Sequence, residues 1–305
     1  LSVRKADGLL LLRIEDIDTG RCRPAYTARL MEDLSSLGLN WDESPAHPVL
    51  RQQERLDIYG ALLADWRAQG LVYPCVCSRQ ELLASSAPHP EDGHHRYDGR
   101  CRTETGRRGR NPGKPPAWRL RIPDDDTSPD SFADLLQGHQ QMDLFREWGD
   151  FVVARADGQF AYQFVCAVDD ALTGVDFVLR GADLLTSTFP QRHIFRLLNQ
   201  PMPTYCHVPL LTDPDGIRLS KRQQSLDLGA MYESGLRAPD ILGRLAHLAG
   251  WLDRPEPATA RELLTVFQLE TLAGKRSLAV RPDDFIHPLE AGHSAPSRNP
   301  DAHRT

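Results

Sequence analysis

The pattern of apolar and polar positions predicts an α/β chain. Residues 9–14 are mostly apolar and lead into a charged stretch, which is typical of a buried strand that delivers acidic groups at its carboxyl end. Apolar residues then recur at helical spacing over 24–37, where Gly38 ends the helix, and over 51–69, where Gly70 ends it. Two helices that follow one strand indicate an α/β fold.

The second half of the chain predicts strands and then helices. Residues 151–154 and 160–168, separated by the turn at Asp157-Gly158, are predicted to form a hairpin. A further strand over 175–180 precedes a crossover helix over 181–198. Helices are also predicted over 239–249 and 260–272. The segment between 75 and 148 interrupts this alternation of predicted strands and helices. It is turn-rich and contains cysteines, which is typical of an inserted subdomain.

Composition narrows the class of protein. The 305 residues are 40% hydrophobic and 26% charged, and no apolar run approaches the roughly 18 residues of a membrane span. The first eight residues lack the features of a signal peptide. We therefore expect a soluble, cytoplasmic protein that does not contact membranes. The net charge of -6 argues weakly against coating of nucleic acid, whereas the arginine-rich stretch 96–121 is either an RNA contact or a solvated loop.

Three of the six cysteines lie close together in the sequence. Cys75, Cys77 and Cys101 offer three thiolates, and soft sulfur ligands suit zinc. On chemistry alone, His94 or His95 is the natural fourth ligand, because histidine is a far commoner zinc ligand than tyrosine. The alternative is a set of three reduced cysteines without metal.

A basic pentapeptide, Arg218-Leu-Ser-Lys-Arg222, follows a turn at 213–216. Its lysine, Lys221, could reach a triphosphate, although an isolated basic loop is most often a solvated surface feature. Two adjacent acids, Asp169 and Asp170, are a candidate pair for metal-assisted hydrolysis. Strand neighbours point to opposite faces, so this pair is not expected to share a site.

Three motifs in order carry a resemblance to a known family. Arg13-Ile-Glu-Asp16, His207-Val-Pro-Leu210 and the RLSKR pentapeptide resemble the RIED, HxPL and KMSKS motifs of class I glutamyl-tRNA synthetases. The resemblance covers roughly residues 1–285. Tyr97-Asp-Gly-Arg-Cys101, after the C-x-C pair, is similar to the zinc pattern of the short glutamyl-Q tRNA(Asp) synthetases. That likeness favours Tyr97 over His95 as the fourth ligand.

The resemblance implies a fold and a domain division. The fold would be an α/β, Rossmann-like class I aminoacyl-tRNA synthetase catalytic domain with a zinc-binding insertion and a C-terminal helical segment. The catalytic domain would occupy 1–74 and 150–205, around an acceptor-binding-type insertion at 75–149. A KMSKS-type loop and helical segment would follow at 206–289, and a disordered tail at 290–305.

The resemblance also implies site residues and partners. Glu15, Tyr162 and Arg180 would bind L-glutamate. Arg218, Ser220 and Lys221 would bind ATP, which enters with magnesium, and Lys221 would also serve catalysis by neutralising the departing pyrophosphate. The zinc held by Cys75, Cys77, Tyr97 and Cys101 would be structural. The product would be glutamate attached to queuosine at the wobble position of tRNA(Asp), through contacts with the anticodon region, and the protein would be a monomer.

One expected part of the family pattern is not found in the sequence. Family members begin with an SPTG stretch and an HIGH-like sequence, and residues 1–5 resemble the end of the helix that follows them. We therefore expect an N-terminally shortened catalytic domain of reduced or absent activity. The alternatives are a fragment of an ordinary glutamyl-tRNA synthetase and a non-catalytic remnant that binds RNA or zinc.

Overall fold

The structure is a computed structural model of the chain. It describes residues 1–78, 81, 96–107, 111, 113, 115–124, 129–219, 228–281, 285 and 288–289, and all structural statements below concern these residues. No helix in this part of the chain is long and apolar enough to cross a bilayer.

The first part of the chain forms helices around a short pair of parallel strands, β1 and β2, in which Arg13 lies opposite Leu50. Pro24 begins the second helix at its first turn, and Gly38 and Gly70 follow helices with positive φ angles of 69° and 73°. The predicted bounds of the helix over 24–37 are confirmed to within one residue, whereas the helix predicted over 51–69 ends as expected but begins only at Leu56, after a strand and a 3₁₀ turn. The elements are α1 Ser2–Lys5, β1 Arg13–Ile14, α2 Pro24–Ser36, β2 Leu50–Arg51 and α3 Leu56–Ala68, with a 3₁₀ turn at Gln52–Arg55.

The predicted strand over 9–14 is shorter than expected. Only Arg13 and Ile14 pair with another strand, and Leu9 and Leu10 are 61% and 40% exposed. An apolar run alone does not fix a strand, because pairing requires a neighbouring backbone at each residue.

The middle of the chain contributes two small antiparallel units. The strands β3, β4 and β7 form one sheet in that order. The strands β5 and β6 form a hairpin in which Asp134 lies opposite Gly138. The elements are β3 Val72–Cys75, α4 Glu104–Arg107, β4 Ala117–Leu120, β5 Asp130–Asp134, β6 Gly138–Met142 and β7 Phe151–Ala154, with a π-helical turn at Leu144–Trp148.

The last part of the chain adds the strands β8 Phe177–Gly181 and β9 Thr204–Val208, which complete a mixed four-stranded sheet with the order β6-β5-β9-β8. The strands β8 and β9 are parallel, and their register places Arg180 opposite His207. The predicted crossover helix between them is present, but it begins at Thr188 and not at residue 181, after a 3₁₀ turn at Ala182–Leu184. The elements are α5 Tyr162–Leu172, β8 Phe177–Gly181, α6 Thr188–Leu197, β9 Thr204–Val208, β10 Leu210–Thr212, α7 Leu228–Glu233, α8 Ala238–Leu248, α9 Ala260–Val266 and β11 Ser277–Ala279.

The predicted hairpin after residue 154 is wrong. The turn at Gly158 exists, with a φ of 86°, but only an isolated bridge between Ala154 and Phe160 follows it. Residues from Tyr162 onward form α5, most of whose side chains are buried. A short apolar run that is buried on nearly every side cannot be told from a strand by periodicity. Asp169 and Asp170 are therefore neighbours on a helix, not on a strand.

One hydrophobic core joins segments from both sides of the predicted insertion. Trp66 from α3 and Phe164 from α5 meet edge to face at 5.5 Å between ring centroids. Leu120 and Trp148, which lie within residues 75–149, belong to the same buried cluster. The core therefore positions α5 and the strand ends that carry the candidate site.

Candidate active site and cysteine cluster

A cavity of about 820 Å³ brings together the three residues predicted to bind glutamate. Glu15 follows β1, Tyr162 begins α5 and Arg180 lies near the end of β8, and all three line this cavity. The volume falls within the range of small-molecule sites. The chain thus places one carboxylate, one phenol and one guanidinium around a single space.

One carboxylate oxygen of Glu15 accepts hydrogen bonds, whereas the other is open to the cavity. Its Oε1 accepts hydrogen bonds from Arg13 Nη2 at 2.9 Å and from the Cys166 thiol at 3.4 Å. Arg13 is also paired with Asp170 on α5. Among the described residues, no hydrogen-bond donor reaches Glu15 Oε2, and the side chain is 42% exposed. Glu15 therefore retains a carboxylate oxygen for a cationic group in the cavity.

Tyr162 is a neutral hydrogen-bonding group in this setting. Burial, followed by the nearby Cys166 and Glu15, raises the pKa of its phenol above the ordinary value. The same cause, burial, raises the pKa of the Cys166 thiol. Both side chains therefore keep their protons at neutral pH and can act as donors.

Arg180 is fixed by neutral acceptors. Its Nε donates to His207 Nε2 at 3.0 Å, and its Nη1 donates to Gln191 Oε1 at 2.7 Å. Its Nη2 donates to Thr188 Oγ1 at 2.8 Å and to the Leu184 carbonyl at 3.3 Å. These contacts use four of the five N–H groups of a guanidinium. A free two-pronged contact with a substrate carboxylate would require one of them to be released.

The charge of Arg180 is not neutralised by a contacting carboxylate among the described residues, which distinguishes it from the other arginines of the cavity. Arg13 is paired with Asp170 and Glu15, Arg55 with Asp169 at 2.7 Å, and Arg51 with Glu54 at 3.9 Å. A buried or half-buried cation without an anion is unfavourable. The cavity therefore suits an anionic ligand next to Arg180.

A buried acid and imidazole lie behind Arg180. Asp134 Oδ2 is 2.6 Å from Nδ1 of His207, and neither side chain is exposed to solvent. Sequence reasoning singled out His207 as part of the HVPL motif but missed Asp134. No sequence signal identified Asp134, because it lies in no motif and meets His207 only through the pairing of β5 with β9.

The structure describes only the beginning of the predicted ATP-binding loop. Arg218 Nη1 pairs with Asp183 Oδ2 at 2.6 Å, just after β8. This pair joins the start of the RLSKR segment to the strand that carries Arg180. Ser220 and Lys221 lie outside the described residues.

The cysteines predicted to bind metal form a compact cluster with Tyr97. Sγ of Cys77 is 3.5 Å from Sγ of Cys101, and the Tyr97 hydroxyl is 3.5 Å from Sγ of Cys75 and 3.7 Å from Sγ of Cys77. The three sulfur atoms all lie within 4.8 Å of one another. The structure thus brings the four predicted ligands together, whereas His94 and His95 lie outside the described residues.

Neighbouring groups hold the cluster against β7. The Tyr97 hydroxyl accepts the backbone N–H of Cys101 at 3.0 Å. Gly149 has a φ of 74°, and a Cβ atom there would lie 2.8 Å from the Tyr97 carbonyl oxygen. Burial opposes ionisation of Cys75, but the charge of Arg119 and nearby hydrogen bonds outweigh it and lower the pKa of this thiol. The cluster therefore combines close packing with a local positive charge.

Several arginines of the arginine-rich stretch 96–121 contact other residues of the protein. Arg102 donates to both carboxylate oxygens of Asp150 at 2.6 Å, and Arg107 donates to the Cys101 carbonyl at 2.7 Å. Arg119 is only 7% exposed. These arginines support the fold around the cluster and are not free for an RNA backbone, while Arg108, Arg110 and Lys114 lie outside the described residues.

Comparison with known proteins identifies the family of this chain. Residues 1–280 match the family model of the catalytic domain of class I tRNA synthetases (E and Q). A glutamyl-Q tRNA(Asp) synthetase of Symbiobacterium thermophilum is 44% identical over 88% of this chain and 85% of its own length. The corresponding protein of Nitratidesulfovibrio vulgaris is 41% identical over 96% of this chain and 92% of its own length. A glutamate–tRNA ligase of Coxiella burnetii is 36% identical, and the chain spans 60% of it.

A solved structure supports the fold. The crystal structure of a glutamate tRNA ligase from Elizabethkingia meningosepticum superposes with a TM-score of 0.72 at 23% identity, over 92% of this chain and 62% of that chain. Similar structure at this identity reports the fold and not the substrate. The chain therefore belongs to the class I (E and Q) tRNA synthetases, on the glutamyl-Q tRNA(Asp) synthetase branch, and is a ligase of this class.

Proposed function

We propose that this chain activates L-glutamate with ATP and transfers it to queuosine at the wobble position of tRNA(Asp). The observation that carries the proposal is the pairing of opposite charges across one cavity. Arg180 has no contacting carboxylate among the described residues, and Glu15 has a free carboxylate oxygen. A free amino acid with an acidic side chain supplies both complements, a second carboxylate and an ammonium group.

The reaction proceeds in two steps. The α-carboxylate of glutamate attacks the α-phosphorus of ATP, so that a new P–O bond forms and pyrophosphate leaves, giving glutamyl-adenylate. A hydroxyl oxygen of the RNA then attacks the activated carbonyl, its proton is released and AMP leaves. Positioning and charge stabilisation provide most of such catalysis. Magnesium bound to the ATP phosphates and Lys221 would offset the charge of the pyrophosphate.

Each side chain has one proposed role. Glu15 binds the α-ammonium, Tyr162 donates its hydroxyl to the substrate, and Arg180 faces the side-chain carboxylate. Arg218 and Ser220 contribute to the ATP site together with Lys221. The ion pair of Arg218 with Asp183 supports this placement, because it holds the start of the loop beside β8.

Glutamate-dependent exchange of labelled pyrophosphate into ATP tests the first step. Measured on protein that includes any residues encoded upstream of Leu1, exchange should occur with glutamate and be small with glutamine or aspartate. Arg180→Ala should reduce exchange by about two orders of magnitude, since loss of a charged partner commonly costs a few kcal/mol, with little change in the KM for ATP. Lys221→Ala should slow exchange with little change in the KM for glutamate.

A matched control separates these effects from general loss of charge. Arg146 is 75% exposed and does not line the cavity, so Arg146→Ala should leave exchange unchanged. Preference for glutamine, or normal exchange in Arg180→Ala, would show that the glutamate site is misassigned.

Transfer of labelled glutamate to purified RNA tests the second step. We expect labelling of tRNA(Asp) that carries queuosine at the wobble position and none of tRNA(Asp) that carries guanosine there. Labelling of tRNA(Glu) instead would assign the chain to ordinary glutamyl-tRNA synthesis. Size-exclusion chromatography of the free protein and of its mixture with tRNA(Asp) should show a monomer that forms a complex, and an isolated anticodon stem-loop that carries queuosine should compete for that complex.

The cysteine cluster supports a further part of the proposal, a structural zinc ion. Tetrahedral zinc with Zn–S distances of about 2.3 Å and a Zn–O distance of about 2.0 Å separates its ligands by about 3.8 Å between sulfurs and about 3.5 Å between sulfur and oxygen. The Cys77 to Cys101 separation of 3.5 Å and the Cys75 to Tyr97 separation of 3.5 Å fit this geometry. Cys75, Cys77, Tyr97 and Cys101 would then fill all four positions, as in a structural site.

A further inference from the structure

The hydrogen-bond donors around His207 fix the position of its proton. The Nε of Arg180 is always a donor, so His207 Nε2, at 3.0 Å, must accept through its lone pair. A neutral imidazole with an unprotonated Nε2 carries its hydrogen on Nδ1. That N–H points at Oδ2 of Asp134, 2.6 Å away. The contacts are thus compatible with only one tautomer.

Asp134 is itself held in one orientation. Its Oδ1 accepts the backbone N–H groups of Leu136 at 3.0 Å, Gln137 at 2.8 Å and His207 at 3.2 Å. Burial alone would raise the pKa of this carboxyl, but these bonds and the bond from the imidazole outweigh burial and lower it. The carboxylate therefore remains an ionised acceptor, with Oδ2 reserved for His207.

The imidazole separates two charges that would otherwise meet. Asp170 contacts Arg13 directly and neutralises it, whereas Asp134 reaches Arg180 only through the neutral ring of His207. Within the described part of the chain, the guanidinium is thereby oriented without a contacting anion, and its charge stays available to the cavity. A carboxylate that orients an imidazole in this way determines which ring nitrogen accepts.

We propose that Asp134 and His207 are positioning residues that hold Arg180 in the orientation that selects an acidic substrate over its neutral amide. This inference rests on the proposed function, because it assigns a role in glutamate recognition. It adds two residues that do not line the cavity and touch no substrate. Their effect should appear in the KM for glutamate and in the preference over glutamine.

The contacts from Asp134 through His207 to Arg180 form a relay of hydrogen bonds. The substitution Asp134→Asn tests this relay with almost no change in side-chain size. The backbone N–H groups at Oδ1 require an oxygen there, so the new NH₂ group takes the place of Oδ2 and faces His207. Nδ1 must then accept, and the ring hydrogen moves to Nε2, where it opposes the N–H of Arg180. The half-buried Arg180 loses one acceptor and gains a repulsive neighbour.

Pyrophosphate exchange should register this change as a loss of specificity. We expect the KM for glutamate to rise about tenfold, since a lost hydrogen bond to a charged group commonly has an effect of this size. The preference for glutamate over glutamine should fall by a similar factor, while the KM for ATP stays unchanged. An unchanged KM and preference in an active Asp134→Asn protein would overturn the inference.

The histidine tautomer provides a readout that does not depend on activity. In protein labelled with ¹⁵N-histidine, the ring signals of His207, assigned by their loss in His207→Gln, should show a protonated Nδ1 and an unprotonated Nε2. Asp134→Asn should reverse the two. A wild-type ring with its proton on Nε2, or a reversal that does not occur, would overturn the relay even if the protein had no exchange activity.

Two comparisons exclude a merely structural effect. Asp130 lies on the same strand and is also a buried carboxylate, paired with Arg192, so Asp130→Asn should lower stability without changing the tautomer or the preference. His207→Gln retains an acceptor and should preserve more of the preference than His207→Leu. Absence of wild-type exchange would refute the proposed function alone, because the histidine spectrum would still decide whether the relay exists.

Discussion

The guanidinium carbon of Arg119 lies 3.8 Å from the centre of the Tyr97 ring. Its Nη1 also donates to the carbonyl of Asp150 at 2.9 Å, immediately before β7. A single buried side chain therefore connects the cysteine cluster to the sheet that packs against α5. The cysteine cluster is thus linked to the candidate active site through this sheet and α5, which makes the stability of the cluster relevant to the site.

We predict that Arg119→Met destabilises the protein and loosens the cluster. The methionine fills similar space, but the Asp150 carbonyl loses its donor and the Tyr97 ring loses its cation, at a cost of about 1 to 3 kcal/mol. Urea unfolding measures the change. Arg121→Met is the control, because the Arg121 guanidinium lies 5.3 Å from the Tyr73 ring centre and its side chain makes a single hydrogen bond to the described residues, at 3.5 Å. Equal losses in the two variants would contradict the assigned role of Arg119.

Zinc content should depend on the cysteines of the cluster and not on cysteines elsewhere in the chain. Protein purified without added zinc should contain about one ion per chain, and Cys101→Ser should lose most of it, because a hydroxyl is a poor substitute for a thiolate. Cys22→Ser changes a free cysteine outside the cluster and should retain the metal. Mass spectrometry of metals in the dialysed proteins measures both. Full retention in Cys101→Ser would remove the basis for the zinc proposal.

The fourth zinc ligand can be identified by a pair of substitutions. Tyr97→Phe removes the hydroxyl that lies 3.5 Å from Sγ of Cys75, so it should weaken zinc binding. His95→Ala should leave binding unchanged. Competition with a chromophoric chelator measures the affinity of each variant. The reverse result would assign the fourth position to His95.

Sequence periodicity predicted helices better than short strands. The helix that begins at Pro24 and the crossover helix before residue 198 were predicted because proline, glycine and apolar spacing mark helices locally. The strand over 9–14 and the hairpin over 160–168 failed for a different reason. Strand pairing and all-round burial depend on distant segments, so an apolar run of five to nine residues carries no local sign of its partner.

The sequence predicted those residues of the candidate site that lie in segments resembling the family. Glu15, Tyr162 and Arg180 were identified from their similarity to a family, and the structure places them around one cavity. Cys166 and Asp134 were missed as contacts of that site, because they reach it through α5 and through the β5 to β9 pairing. Side chains that contact a motif residue from a distant part of the sequence can be identified only in the folded structure.

Stability in acid should depend on Asp130. This side chain is 7% exposed and paired with Arg192 at 3.0 Å and with Arg196. Burial tends to raise its pKa, but the two arginines outweigh burial and lower the pKa below the ordinary value of 3.8. Its contribution is therefore present above about pH 4 and is lost as the pH falls through the lowered folded-state pKa.

Asp130→Asn should accordingly cost about 3 kcal/mol at neutral pH, the usual result of removing one partner from a buried pair. The difference from wild type should stay constant down to about pH 4 and shrink at lower pH, where the wild-type carboxyl also becomes neutral. Urea unfolding at a series of pH values measures it. A difference that grows toward low pH would contradict the lowered pKa.

Two glycines in helices should respond oppositely to the same substitution. Gly243 lies within α8, where a Cβ atom would be 1.8 Å from the Glu256 carbonyl oxygen and 3.4 Å from the Ala258 nitrogen. The obstacle is backbone, so the helix or the facing loop must move. We predict that Gly243→Ala destabilises the protein by about 2 kcal/mol or more, the range found for overpacked interiors.

Gly60 is the matched control, because it lies within α3 and a Cβ atom there meets nothing within 4 Å. Gly60→Ala gains the helix propensity of alanine without a clash and should stabilise the protein by up to about 1 kcal/mol. Since the propensity gain is the same in both helices, the difference between the variants in urea unfolding isolates the cost of the contact with Glu256. If Gly243→Ala were as stable as Gly60→Ala, the close packing of α8 against the loop before α9 would be refuted.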